Sequence, residues 1–170
     1  MYHAMLVVGL CVAYVPLAYG FAWFFEDRRV TLDPWRTLSS IAAIALVATA
    51  ANVVTLQVSD WQLANRILHT FGGGFAAYLV CVLAARDIGL SIGRLRFFIV
   101  ATLIVTAIGV ANEHVELALQ SFAHLRFAAS VSDTWLDLAS NTAGIVLAAA
   151  LFTQLVPRRI GTMVNAPGRE

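Results

Sequence analysis

The chain has 170 residues, of which 60% are hydrophobic and only 12% are charged, and its formal net charge is +1. A soluble globular domain carries about 25% charged residues, so this composition and a mean hydropathy of +0.79 indicate an integral membrane protein. The small net charge also excludes the strongly basic surface that nucleic-acid binding requires. We therefore expect no nucleic-acid partner.

Five apolar stretches of about 20 residues follow one another, each long enough to cross a hydrocarbon layer of about 30 Å as a helix. The first resembles a signal peptide, but no basic residue precedes it and a charged cluster follows it, so we interpret it as an anchor. The sequence predicts an all-α polytopic bundle of five transmembrane helices, with residues 1–170 as a single membrane domain. The predicted spans are Ala4–Phe25, Leu38–Val58, Ile67–Ala85, Phe97–Phe122 and Thr134–Val156.

The basic residues are all arginines and lie mostly in alternate loops. Nine of them occupy the first loop, the third loop and the C-terminal tail, whereas the second and fourth loops hold only Arg66 and Arg126. Loops rich in arginine stay on the cytoplasmic side of a membrane. We therefore expect a multi-pass protein of the cytoplasmic membrane with its N-terminus outside and its C-terminus inside.

Polar side chains gather near the outer ends of the last three predicted spans. They recur at i, i+4 and i+8 on the fifth span and at i, i+3 and i+7 on the fourth, so each set forms a stripe on one helix face. An ionised carboxylate at mid-membrane costs about 2.5–3.5 kcal/mol, so these stripes need compensation by a cation, shared protons, water or an arginine. The residues are His69 on the third span, Glu113, Glu116 and Gln120 on the fourth, and Asp133, Asp137 and Asn141 on the fifth.

Two chemistries fit one histidine among several carboxylates. The set could hold one divalent metal ion, with Zn, Mn, Fe and Mg all acceptable. Without a metal, Glu116 would serve as general acid or base while Arg126 holds a phosphate. The candidate metal ligands are His69, Glu113, Glu116, Asp133 and Asp137; the candidate catalytic residues are His69, Glu116 and Asp137; the candidate ligand-binding residues are Gln120, Arg126 and Asn141.

The run Gly72-Gly73-Gly74 lies one turn after His69, inside an apolar span. Small residues in a spanning helix let a neighbouring helix approach closely. We interpret the run as a packing surface, with a groove for a ligand's chain as the alternative.

The C-terminal half of the chain resembles the VanZ-like family of small multispanning membrane proteins. The similarity lies in His69 at the head of one span, in "NEHVELALQ" (Asn112–Gln120), in Arg126, and in "DTWLDLASNTAG" (Asp133–Gly144). Asn65-Arg66 stands where the family pattern has an Asp-Lys pair. The resemblance implies a link to glycopeptide-antibiotic resistance at the cell envelope, without an established reaction. It favours His69, Glu113, Glu116, Gln120, Arg126, Asp137 and Asn141 as site residues.

Three functions from different classes remain compatible with these features. The first is an envelope-facing enzyme or binding protein for membrane lipids or a lipid-linked glycan, with or without the metal. The second is a non-catalytic subunit or assembly factor that binds membrane protein partners. The third is a proton- or ion-coupled carrier, since intramembrane acids also mark ion pathways. The almost wholly apolar inner halves of the third and fifth spans argue against the carrier.

Overall fold

The computed structural model describes residues 2–26, 29–123 and 131–157, and these residues contain five long helices and no β-strand. All five helices are long and apolar enough to cross a membrane, which confirms the predicted all-α, five-span fold. The helices are α1 (Tyr2–Glu26), α2 (Pro34–Leu56), α3 (Trp61–Asp87), α4 (Arg94–Ala123) and α5 (Val131–Phe152), the last followed by a 3₁₀ turn at Thr153–Leu155.

Two helices, α2 and α3, begin several residues before the predicted spans, because each has a capped first turn that contains polar residues. Asp33 caps α2, its side chain accepting a hydrogen bond from the Arg36 amide at 2.8 Å, and a proline occupies the first helical position. Asp60 caps α3 in the same way, accepting from the Gln62 amide at 2.9 Å. Hydropathy marks the apolar part of a helix, so these capped turns lie outside the predicted spans.

The centre of the bundle is α3. Most of its residues are buried, whereas the other four helices are mainly exposed, and α3 packs against each of them. The four helices around α3 turn large apolar side chains such as Trp23, Leu46 and Leu103 away from the protein. This is the distribution expected when lipid surrounds the bundle.

The N-terminal half of α3 contains a π-helical segment at Leu68–Phe75, and α5 crosses it there at close range. A Cβ atom on Gly74 would overlap the backbone carbonyl of Asn141, and one on Gly144 would overlap the backbone of α3. Only glycine permits such an approach. The packing interpretation of the glycine run is confirmed, and the crossing places His69 beside the polar stripe of α5.

The other end of α3 carries a second buried polar group, which the sequence analysis did not single out. The carboxylate of Asp87 accepts hydrogen bonds from the Tyr14 hydroxyl at 2.7 Å, from the Ser40 hydroxyl at 2.5 Å and from Arg86 Nε at 2.9 Å. Three helices therefore meet at one aspartate. We call these four residues the inner cluster.

Candidate functional site

Three of the predicted metal ligands come together from three different helices. His69 Nε2 lies 3.5 Å from Asp137 Oδ1, and His69 Nδ1 lies 4.0 Å from Glu113 Oε1. One ligand atom from each residue can be chosen so that all three atoms lie within 4.8 Å of one another. The three residues are only 7%, 6% and 2% exposed for His69, Glu113 and Asp137. We call them the outer cluster.

An arginine from the first turns of α3 joins the outer cluster to Asp133. Arg66 forms ion pairs with both Asp133 and Asp137, and Asn65 Nδ2 donates a hydrogen bond to Asp137 Oδ1 at 2.8 Å. The compensation that the buried aspartates require is therefore supplied in part by Arg66, one of the four options the sequence left open. Asp133 contacts the arginine and is not one of the three clustered ligands.

Glu113 differs from the two aspartates because neither of its carboxylate oxygens accepts a hydrogen bond from a described residue, although the Thr134 hydroxyl is a neighbour. Buried carboxylates are normally paired or fully hydrogen-bonded. If Glu113, Asp133 and Asp137 are all ionised, Arg66 balances only one of their charges. An excess of two negative charges then remains in a buried space, which is the charge that one divalent cation neutralises.

Glu116, Gln120 and Asn141 are predicted site residues that do not belong to the outer cluster. Glu116 is buried, accepts a hydrogen bond from Asn112 Nδ2 at 2.7 Å and lines an apolar groove beside α1. Gln120 is half-buried one turn further along α4. Asn141 is 7% exposed and packs between α3 and α4. Arg126 lies outside the described residues.

Sequence reasoning did not foresee two contributors to this site. Asn65 and Asn112 each donate a hydrogen bond to a site carboxylate. In the sequence, Asn65 stood out only as a departure from the VanZ-like pattern, and Asn112 only as the first residue of a segment that resembles it. The π-helical segment of α3 has no simple sequence signal beyond its glycines; such segments recur at functional sites of helices. By contrast, His114 is exposed and its Nδ1 lies 2.8 Å from the Val110 carbonyl of its own helix, so it does not join the cluster.

Comparison with known proteins assigns the chain to a family without a described activity. The family model described as "Predicted membrane protein (DUF2238)" matches residues 2–158. The chain belongs to this family. Every residue of the outer cluster in this DUF2238 protein lies within the matched segment, as do Arg66 and Glu116. No curated protein and no solved structure shows significant similarity to the chain.

Proposed function

We propose that this protein spans the cytoplasmic membrane and holds one divalent metal ion at His69, Glu113 and Asp137, on the outer side of that membrane. At that site it binds or acts on a membrane lipid or a lipid-linked glycan. The observation that carries the proposal is the convergence of three buried ligand residues from three helices, one of which, Glu113, has no hydrogen-bond partner among the described residues.

The donor set suits a catalytic metal site better than a closed structural one. One imidazole and two carboxylates give three protein ligands, and catalytic zinc sites use three such ligands and keep one position open. Asn65 and Arg66 both bind Asp137 Oδ1, the oxygen that also lies 3.5 Å from His69 Nε2. Polar partners of this kind commonly surround metal-binding residues. These partners fix the orientation of Asp137 toward His69.

The chemistry that a bound divalent metal would supply is a water acidified to a pKa of about 7, or a polarised carbonyl or phosphoryl oxygen. Glu116 lies one helical turn beyond Glu113, at the wall of the apolar groove, where it could exchange a proton with a group bound there. The burial of the cluster keeps bulk water away from the reacting group. Hydrolysis of a lipid ester or phosphoester is the reaction class that these parts support.

The packing of the inner half supports a one-sided site over a carrier. Tyr78 and Phe97 are almost fully buried, their ring centroids are 6.1 Å apart, and Phe21 packs against the same Phe97 ring at 6.3 Å. A carrier needs a polar path to the second side of the membrane. The aromatic side chains occupy the space that such a path would use in the described bundle.

The resemblance to VanZ-like proteins supports a function at the cell envelope. That family is linked to glycopeptide-antibiotic resistance at the cell envelope, which favours a lipid or lipid-linked glycan of the envelope as the ligand. The predicted orientation places the outer cluster on the same face. Cysteines introduced at the exposed positions Ser59 and Ser91 provide the check: a membrane-impermeant thiol reagent should label position 59 in intact cells and leave position 91 unlabelled.

Elemental analysis of the purified protein tests the metal site. We expect about one equivalent of a transition metal or Mg in the wild-type protein, and at least a tenfold loss in His69→Ala and Asp137→Ala, because each removes a ligand. His114→Ala is the matched control, since it removes an exposed histidine next to Glu113. A wild-type protein that stays metal-free after incubation with Zn, Mn, Fe and Mg contradicts the proposal, as does a His69→Ala variant with full occupancy.

A further inference from the structure

An apolar groove runs along the bundle between α1 and α4, and residues of α3 also line it. Its volume is about 440 Å³, and only two of its lining residues, Asn112 and Glu116, are polar. It follows α1 from Met5 to Leu17, a length of about 18 Å at 1.5 Å per residue. A hydrocarbon core is about 30 Å thick, so the groove has roughly the depth of one leaflet. These dimensions fit a single hydrocarbon chain lying along the leaflet.

The groove adjoins a smaller cavity that reaches the outer cluster. This cavity has a volume of about 90 Å³ and shares Leu10, Ala77 and Ile108 with the groove. Its far wall is formed by His69 and Asn141. A cavity needs about 10–15 Å³ of such volume to hold one water, so this one has room for a hydroxyl group.

The side-chain amide of Asn141 lines the small cavity, and its oxygen has no hydrogen-bond donor among the described residues. The residue is 7% exposed, and its Oδ1 accepts no hydrogen bond from any residue that the structure describes. Gly73 and Gly109 lie against the amide, and a Cβ on Gly73 would overlap it. A buried amide oxygen without a hydrogen bond is costly. The oxygen and nitrogen of an amide can exchange places, and a hydroxyl, which both donates and accepts, matches either arrangement.

The charges around the cavity determine which head group fits. Glu113 and Asp137 lie beside His69, and Glu116 lines the adjoining groove. Like charges brought together in a low-dielectric space repel strongly. In the metal-free protein, a fatty-acid carboxylate or a phosphate therefore meets unfavourable charge at these acids, whereas a neutral hydroxyl does not.

We propose that the groove binds the hydrocarbon chain of a neutral long-chain lipid alcohol, with the hydroxyl of the lipid in the small cavity at Asn141, beside His69. The proposal narrows the ligand class of the proposed function and depends on that function in taking the outer cluster as the reacting end. The groove that would bind the hydrocarbon chain of the lipid, however, is formed only by α1, α3 and α4. Binding of the lipid and binding of the metal can therefore be tested separately.

The experiment uses the full chain in lipid nanodiscs and a hexadecanol that carries a photoreactive diazirine in its chain. A Cβ on Gly9 meets no atom within 4 Å, so the ring of a Gly9→Phe variant projects into the groove that Gly9 lines. Gly20→Phe is the matched control, because Gly20 is equally open, lies on the same helix and is not among the groove residues. We expect labelling to fall at least tenfold in Gly9→Phe and to be unchanged in Gly20→Phe.

Competition with unlabelled compounds tests the hydroxyl. Hexadecanol should compete about tenfold better than hexadecane or hexadecanoic acid, the ratio expected for one hydrogen bond in a buried site. Asn141→Ala should remove the preference over hexadecane while the groove still labels. Equal competition by hexadecane in the wild type, or equal labelling of Gly9→Phe, overturns the proposal. Metal content measured on the same samples separates the two proposals, since selective labelling of a metal-free protein contradicts only the proposed function.

Discussion

The bundle holds buried carboxylates at both ends of α3, and the two groups differ in how their oxygens are satisfied. In the inner cluster, one tyrosine, one serine and one arginine converge on Asp87. In the outer cluster, Asp137 is paired with Arg66, but both oxygens of Glu113 lack a hydrogen bond from the described residues. The inner group is complete within the protein, whereas the outer group has room for a further partner.

This difference separates a structural polar cluster from a binding site more clearly than residue type does. Both groups contain buried acids and an arginine in spanning helices, so intramembrane charge alone marks both of them as functional candidates. Native proteins satisfy almost all buried polar groups. An unsatisfied group beside a histidine and a second carboxylate is therefore where we propose that a ligand binds, whereas a fully bonded group is typical of helix association.

The largest expected effect comes from breaking the inner cluster. Asp87→Ala leaves the buried Tyr14 and Ser40 hydroxyls without their common acceptor, at about 1–3 kcal/mol for each unsatisfied group. The Arg86 side chain is 40% exposed, so water can replace its lost partner at little cost. Denaturant titration in mixed micelles measures the loss in the free energy of unfolding. Asp60→Ala is the comparison at an exposed aspartate, where only a helix cap is lost, at about 1 kcal/mol. Equal losses in both variants contradict a structural role for the inner cluster.

The next effect comes from separating α3 and α5 at their crossing. A Cβ on Gly144 overlaps the backbone of α3, so Gly144→Ala should destabilise the fold by about 1–3 kcal/mol and displace the outer cluster. Gly20→Ala is the control, because its Cβ meets no atom within 4 Å and alanine favours the helix. Unfolding titrations and metal content measured together provide the check. A Gly144→Ala protein with wild-type stability and metal content contradicts the close crossing.

The fold could be predicted from the sequence because hydropathy and length decide whether a helix spans a membrane. All five spans were found, and their errors lie at capped ends such as Asp33 and Asp60, where polar first turns extend the helix beyond the apolar stretch. Helical spacing also placed Glu113 and Asp137 on buried faces correctly. Helical periodicity shows which residues share a face of one helix, but it does not show which faces of different helices pack together.

The composition of the outer cluster could not be predicted because it depends on how helices rotate against one another. Glu113 and Glu116 share a stripe by spacing, yet one meets His69 and the other lines the groove beside α1. The inner cluster escaped prediction for the same reason: Tyr14, Ser40 and Asp87 lie on three helices and form no pattern along the chain. Only the packing of α1 and α2 against α3 brings them together.

The smallest effect gives the sharpest comparison, because the two clusters should respond to the same chemical change with opposite signs. Glu113→Gln removes a charge that has no hydrogen bond in the metal-free protein, so it should stabilise that form by about 1 kcal/mol. Asp87→Asn removes a charge that accepts three hydrogen bonds, so it should destabilise the protein. Added metal should make Glu113→Gln destabilising, because metal binding stabilises the wild type by mass action and a neutral amide is a poorer ligand than a carboxylate. The effect of Asp87→Asn should not change with metal. Unfolding titrations of both variants with a chelator and with added metal measure these four changes.

Destabilisation by Glu113→Gln in chelator would mean that Glu113 is already satisfied within the protein, and the outer cluster would then be structural, like the inner one.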